Sequence, residues 1–155
     1  MIQHRFGPGP VTDLGFLPDG RLVVGLEQDP DLWLWDAARG DVGRFGFRRQ
    51  ARGTVTSLAV APGRPWLAVQ HSTTGLSVWD VAESKRLLRA AGYTPRGALA
   101  FSADGALLAA VANGFWRARS EVRLWDLTSG GSCRGSAGAA GSCGRWPSRR
   151  TGRPW

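Results

Sequence analysis

The sequence predicts an all-β protein: about three stacked four-stranded antiparallel sheets, one per sequence repeat, followed by a disordered C-terminal tail. Three observations carry this expectation. Trp-Asp occurs at Trp35-Asp36, Trp79-Asp80 and Trp125-Asp126, at spacings of 44 and 46 residues. Each copy closes a short apolar alternation, "LWLWD", "LSVWD" or "VRLWD", and follows a similar upstream block, "VTDLGFLPDG", "VTSLAVAPGR" or "ALAFSADG". Recurrence at such a period marks one supersecondary unit that buries its apolar surface against its neighbours. The pattern then stops: residues 131–155 contain no Leu, Ile, Val or Phe, too little apolar surface to offset the entropy of ordering.

The repeats span approximately residues 7–50, 51–94 and 95–130. In the first, "VTDLGFL" alternates as a strand, "PDG" is turn chemistry, and "RLVVGL" is a second, nearly continuous apolar run. The polar "EQDPD" leads into the strand ending at Trp35-Asp36, and "AARGD" turns the chain into a final candidate strand near "VGRFGF". The middle runs are apolar on both faces, as strands covered from both sides must be. The second repeat keeps the 19-residue spacing from Val60 to Trp79 that joins Phe16 to Trp35. In the third, Phe101 precedes Trp125 by 24 residues, five extra, and no outer strand is evident before the tail.

These dipeptides, blocks and turns ("FLPDG", "FSADG") resemble the WD-repeat β-propellers, rings of four-stranded blades. Over residues 1–130 the resemblance implies an incomplete β-propeller of about three four-stranded antiparallel blades. It also implies structural roles for Trp35, Asp36, Trp79, Asp80, Trp125 and Asp126. Asp29, six residues before Trp35, stands where the family's tight-turn aspartate belongs; its counterparts are Thr73 and Arg119. The family's Gly-His before the first blade strand is missing, and Gly25 and Val69 occupy the place of its strand serine. Apolar packing, not a complete polar network, is therefore expected to hold the blades. Propellers close with four to eight blades, so three are expected to leave apolar end faces that drive self-association. "MIQHRF" at residues 1–6 resembles the outer strand of a preceding blade. The abrupt end of the repeats points to a truncated member of the family, with residues 131–155 as a low-complexity Gly/Ser/Arg-rich extension.

Composition excludes several function classes. At 155 residues, 43% apolar and 21% charged, the chain has the make-up of one soluble domain. Its longest apolar runs, such as "ALLAAVA", fall far short of the roughly 20 residues of a membrane span, and the N-terminus lacks the apolar core of a secretory signal. No membrane association and a cytoplasmic location are expected. The net charge of +8 is concentrated in the tail, whose Arg134, Arg145, Arg149, Arg150 and Arg153 face no acid; residues 1–128 carry only +3. Cys133 and Cys143 also lie in the tail and are too few for a disulfide framework. His4 and His71, 67 residues apart, have no second ligand at metal spacing, and His71 reads as a solvated loop residue. No phosphate-binding glycine motif links a strand to a helix. No metal, no cofactor and no enzymatic activity are expected.

Binding remains. The extra residues of the third repeat, "NGFWRARS" at 113–120, lie between its second and third strands. Phe115, Trp116, Arg117 and Arg119 combine the aromatic and guanidinium groups that dominate interface hot spots. A second stretch, "GRFGFRRQARG" at 43–53, interleaves Arg44, Arg48, Arg49 and Arg52 with Phe45 and Phe47, a mixture suited to single-stranded nucleic acid. Its position as an outer strand explains it more simply: the phenylalanines turn inward and Arg44 and Arg48 outward. The expected function is a non-enzymatic protein-protein interaction scaffold. The alternative is a nucleic-acid-binding module using the Arg-rich loops and tail. Trp33, whose counterparts are Ser77 and Arg123, is expected to shield a blade that lacks the family's polar network; the alternative is an exposed contact residue peculiar to this blade.

Overall fold

The computed structural model describes residues 2–7, 9–46, 53–90, 97–113, 120–128 and 131–133. All regular structure among them is β. The first sheet holds β1 (Val11–Phe16), β2 (Leu22–Leu26), β3 (Leu32–Asp36) and β4 (Asp41–Phe45). The second holds β5 (Val55–Val60), β6 (Trp66–His71), β7 (Gly75–Asp80) and β8 (Lys85–Ala90), and the third β9 (Leu99–Phe101), β10 (Leu107–Asn113), β11 (Ser120–Asp126) and β12 (Gly131–Cys133). Within each sheet, every strand pairs antiparallel with the next in sequence, giving three meanders in three separate sheets. This is the incomplete, propeller-like all-β architecture expected from the repeats.

Turn chemistry sets the hairpins. Between the first two strands of each sheet the chain closes with short backbone bonds, Leu17 N–H to Arg21 O at 2.8 Å, Ala61 N–H to Trp66 O at 2.9 Å and Ser102 N–H to Leu107 O at 2.9 Å. The Asp19 carboxylate accepts from Arg21 N–H at 3.0 Å, and Asp104 accepts from Ala106 N–H at 3.0 Å. In the turn after Trp-Asp, Gly40 adopts a φ of 76° and its counterpart Ser84 a φ of 52°. That left-handed conformation favours glycine over any residue with a Cβ.

The equal 19-residue spacings conceal a compensation. Phe16 pairs with Leu22, but Val60 pairs with Leu67, so the second inner turn has one extra residue; Gly25 pairs with Leu32 and Gln70 with Leu76, so the following loop has one fewer. Val69 is therefore the counterpart of Val24, and Gln70 that of Gly25. In the third sheet the five extra residues lengthen a hairpin whose last pair is Asn113–Ser120. This sheet too has the expected four strands, but its fourth, Gly131–Cys133, lies at the start of the segment expected as a disordered tail. β12 pairs Gly131, Ser132 and Cys133 with Asp126, Trp125 and Leu124. Backbone groups make that ladder, so no apolar side chain announces it.

The side of each sheet that carries the Trp-Asp tryptophan is its rear face, the other its front face. The rear of the second sheet packs on the front of the first: Leu58, Leu67, Val69 and Trp79 meet Val23, Leu32 and Phe45, with Leu34 alongside. Trp79 meets Phe45 edge-on, ring centroids 6.0 Å apart. The rear of the third packs on the front of the second, Leu108, Ala110 and Trp125 against Ala68, Leu76 and Val78. Gly25 makes the first contact possible, because a Cβ there would lie 2.7 Å from Val55 Cγ1. Asp13 adds a polar tie: its Oδ2 accepts from Leu58 N–H at 2.9 Å and Ser57 Oγ at 3.4 Å.

Among the described residues, two faces have no sheet against them. On the rear of the first, Leu14 and Phe16 are 55% and 69% exposed; on the front of the third, Val122 and Leu124 are 58% and 44% exposed. Residues 2–7 form no strand, contrary to the outer strand expected of residues 1–6. All three sheets already have four strands, and the segment lies across the rear of the first sheet instead.

Candidate functional site

The Trp-Asp carboxylates organise turns. Asp36 Oδ1 accepts from Ala38 and Arg39 N–H at 3.0 and 3.1 Å, Asp80 Oδ1 from Ala82 and Glu83 N–H at 3.0 Å each, and Asp126 Oδ1 from Thr128 N–H at 2.9 Å. Side-chain capping of this kind replaces backbone partners that a tight turn leaves unpaired. Trp79 and Trp125 are 7% and 4% exposed, each sealed against the preceding sheet. Trp79 Nε1–H donates to Ser77 Oγ at 2.9 Å.

The first sheet replaces that serine with Trp33. Asp29 Oδ1 accepts from Asp31 N–H at 3.0 Å, closing the loop before β3, while its Oδ2 accepts from Trp33 Nε1–H at 3.1 Å and pairs with Arg44 at 3.0 Å. The Arg44 guanidinium lies 4.4 Å from the Trp33 ring centroid, a cation–π arrangement. On the same face the Phe6 ring lies 6.2 Å from Trp33 and 5.9 Å from Trp35, and His4 lies 5.7 Å from Trp35. Trp33 is thus half-buried, with Arg44, Asp29 and Phe6 of the N-terminal segment around it. Arg44 and Phe45 point to opposite sides, Phe45 buried on Trp79 and Arg44 out to Asp29. Phe47, Arg48, Arg49 and Arg52 lie outside the described residues.

At one end of the sheets the β2–β3 and β6–β7 loops meet the starts of β1 and β5. Pro10, Val11, Thr12, Glu27, Thr54, Val55, Thr56 and Ser72 line an open groove of about 440 Å³ there. Hydroxyls and one carboxylate dominate its polar lining. Beside it His71 is 1% exposed, with Nε2 at 3.0 Å from Pro30 O. A carbonyl only accepts, so Nε2 carries the proton. Burial lowers the His71 pKa, opposed by the Pro30 hydrogen bond and the Asp31 charge. His71 is therefore not the solvated loop residue expected; it ties the second sheet to the loop of the first. No sequence signal separated these cases, because the partner is a backbone atom 41 positions away. Asn113 and Ser120 close the equivalent end of the third sheet. The predicted docking residues Phe115, Trp116, Arg117 and Arg119 lie outside the described residues. Among the described residues, no three His, Cys, Asp or Glu gather as a metal site, and no helix is long and apolar enough to cross a membrane.

No protein-family model matches the chain. It is similar to the small ribosomal subunit protein RACK1z of Arabidopsis thaliana, 32% identical over 82 residues, which cover 52% of this chain and 23% of that protein. The chain thus spans less than a quarter of that relative's length. Among solved structures it is similar to the computationally designed Ika4 protein, with a TM-score of 0.64 and 19% identity over 88% of this chain and 78% of the other. It is likewise similar to the Kuenenia stuttgartiensis hydrazine synthase, with a TM-score of 0.64 and 19% identity over 80% of this chain and 36% of the other. At such identity these two likenesses concern the fold alone. The similarity to RACK1z, a WD-repeat propeller protein, agrees with the resemblance read from the three Trp-Asp dipeptides.

Proposed function

We propose that this chain is a non-enzymatic protein-protein interaction module of the WD-repeat kind. The observation that carries the reading is the pair of apolar sheet faces at the two ends of the arc, where Phe16, Leu14, Val122 and Leu124 are exposed. Their repeat counterparts are packed between sheets, so the end faces have the surface chemistry of an interface. The hairpin loop beyond Asn113–Ser120 supplies a second docking element through Phe115, Trp116, Arg117 and Arg119. Hot-spot energetics concentrate in such aromatic and arginine groups.

Quantitative capture on the immobilised chain tests this. Val122→Lys with Leu124→Lys, and separately Trp116→Ala with Arg117→Ala, are each expected to reduce protein capture by about tenfold or more. Undiminished capture by both variants would sink the reading. Nuclease-sensitive retention that falls steeply with salt would favour the nucleic-acid alternative.

A further inference from the structure

The contact made twice inside the chain specifies what its end faces fit. In the second sheet, Ala68, Leu76 and Val78 are fully buried beneath the Trp125 face of the third. The strand registers make Ala109, Val122 and Leu124 their counterparts on the front of the third sheet. What meets them in the repeated contact is a rear face carrying a tryptophan at the Trp79 and Trp125 position. The first sheet offers one, with Trp35 paired to Leu22 and Trp33 to Val24 in the same register.

That rear face is covered, but lightly. His4 and Phe6 approach the two indoles, and a Cβ on Gly7 would lie 3.2 Å from the Trp33 ring. The segment adds no strand and leaves Leu14 and Phe16 exposed, while its own Ile2 is 71% exposed. Six residues therefore occupy part of a site shaped for a sheet.

We propose that residues 2–7 are a displaceable cover on the rear of the first sheet, replaced by the front of the third sheet from a second copy of this chain. Two copies joined head to tail bury both pairs of end faces and form a closed six-sheet ring. Six lies within the four to eight sheets at which such rings close, and the twofold arrangement uses one front-to-rear contact twice. The inference rests on the reading that the end faces are docking surfaces, and names their occupant.

Sedimentation velocity on the purified 155-residue chain tests it. The wild type is expected to dimerise reversibly, and His4→Ala with Phe6→Ala to tighten the dimer by about tenfold, because the cover no longer competes. Val122→Lys with Leu124→Lys removes the front face and Leu14→Lys with Phe16→Lys the rear; each alone is expected to be monomeric with wild-type circular dichroism. These positions are exposed in the monomer, and serine at the same sites provides a milder second pair. Mixing the two lysine variants restores one intact front-to-rear contact and is expected to yield a 1:1 species. A wild type that stays monomeric, a dimer that survives either lysine variant, or a mixture that yields nothing would each overturn the proposal. Monomeric wild type that still captures other proteins through Val122 and Leu124 refutes the second copy while the docking reading stands.

Discussion

His71 shows how one side chain couples stability to pH. Neutral and buried against Pro30 O, it has a pKa lowered in the fold, so the unfolded chain binds its proton more readily. The stabilisation is fully present above the ordinary histidine value of about 6.5 and is lost as pH falls through the lower folded value. The melting temperature is expected to decline below about pH 6.5, and His71→Gln to flatten that decline; an unchanged slope in the variant would refute the assignment. Asp19 and Asp104 do not blur the test. Their pKa values are lowered below 3.8, by the Arg21 and Ser102 hydrogen bonds, so their contributions fade only in stronger acid. Asp29 was legible before the structure because its spacing to Trp35 matched a known turn. Its second acceptor role, toward Trp33 and Arg44, was not, since β4 had to fold back beside β3 to bring Arg44 near.

At the scale of elements, the sheets meet through small inner residues opposite larger ones. Gly25 on β2 faces Val55 on β5, which is fully buried. Gly25→Ala is expected to destabilise the protein by about 1–3 kcal/mol through overpacking. Val55→Ala opens a gap on its own but should relieve the clash, so the double variant falls short of the sum of the singles in urea unfolding. Strict additivity would mean that the two sheets do not press together there. Strand existence was plain from alternation and turn residues. Register was less so, because an extra residue in the inner turn offset a missing one in the next loop and left the spacing unchanged. β12 is not legible because Gly-Ser-Cys has no apolar alternation, while its pairing with β11 is a backbone ladder that any sequence can make.

Over the whole molecule, two apolar faces end an arc of three sheets. If copies close on one another, the native state is a dimer, and its melting temperature rises with protein concentration by mass action. Scanning calorimetry over a range of concentrations is expected to show that rise for the wild type and none for Val122→Lys with Leu124→Lys. Equal melting at all concentrations for both would rule out association within that range.

The sequence by itself determined that the chain is β, that it repeats three times, and that each Trp-Asp ends a strand and starts a turn. These are local properties, set by alternation, turn residues and a short capping carboxylate. Tertiary structure alone decided which face of each sheet meets its neighbour, where His71 and Arg44 find their partners, and that residues 2–7 lie over Trp33 and Trp35. Those contacts join positions far apart in the chain, and only the stacking of whole sheets brings them within reach.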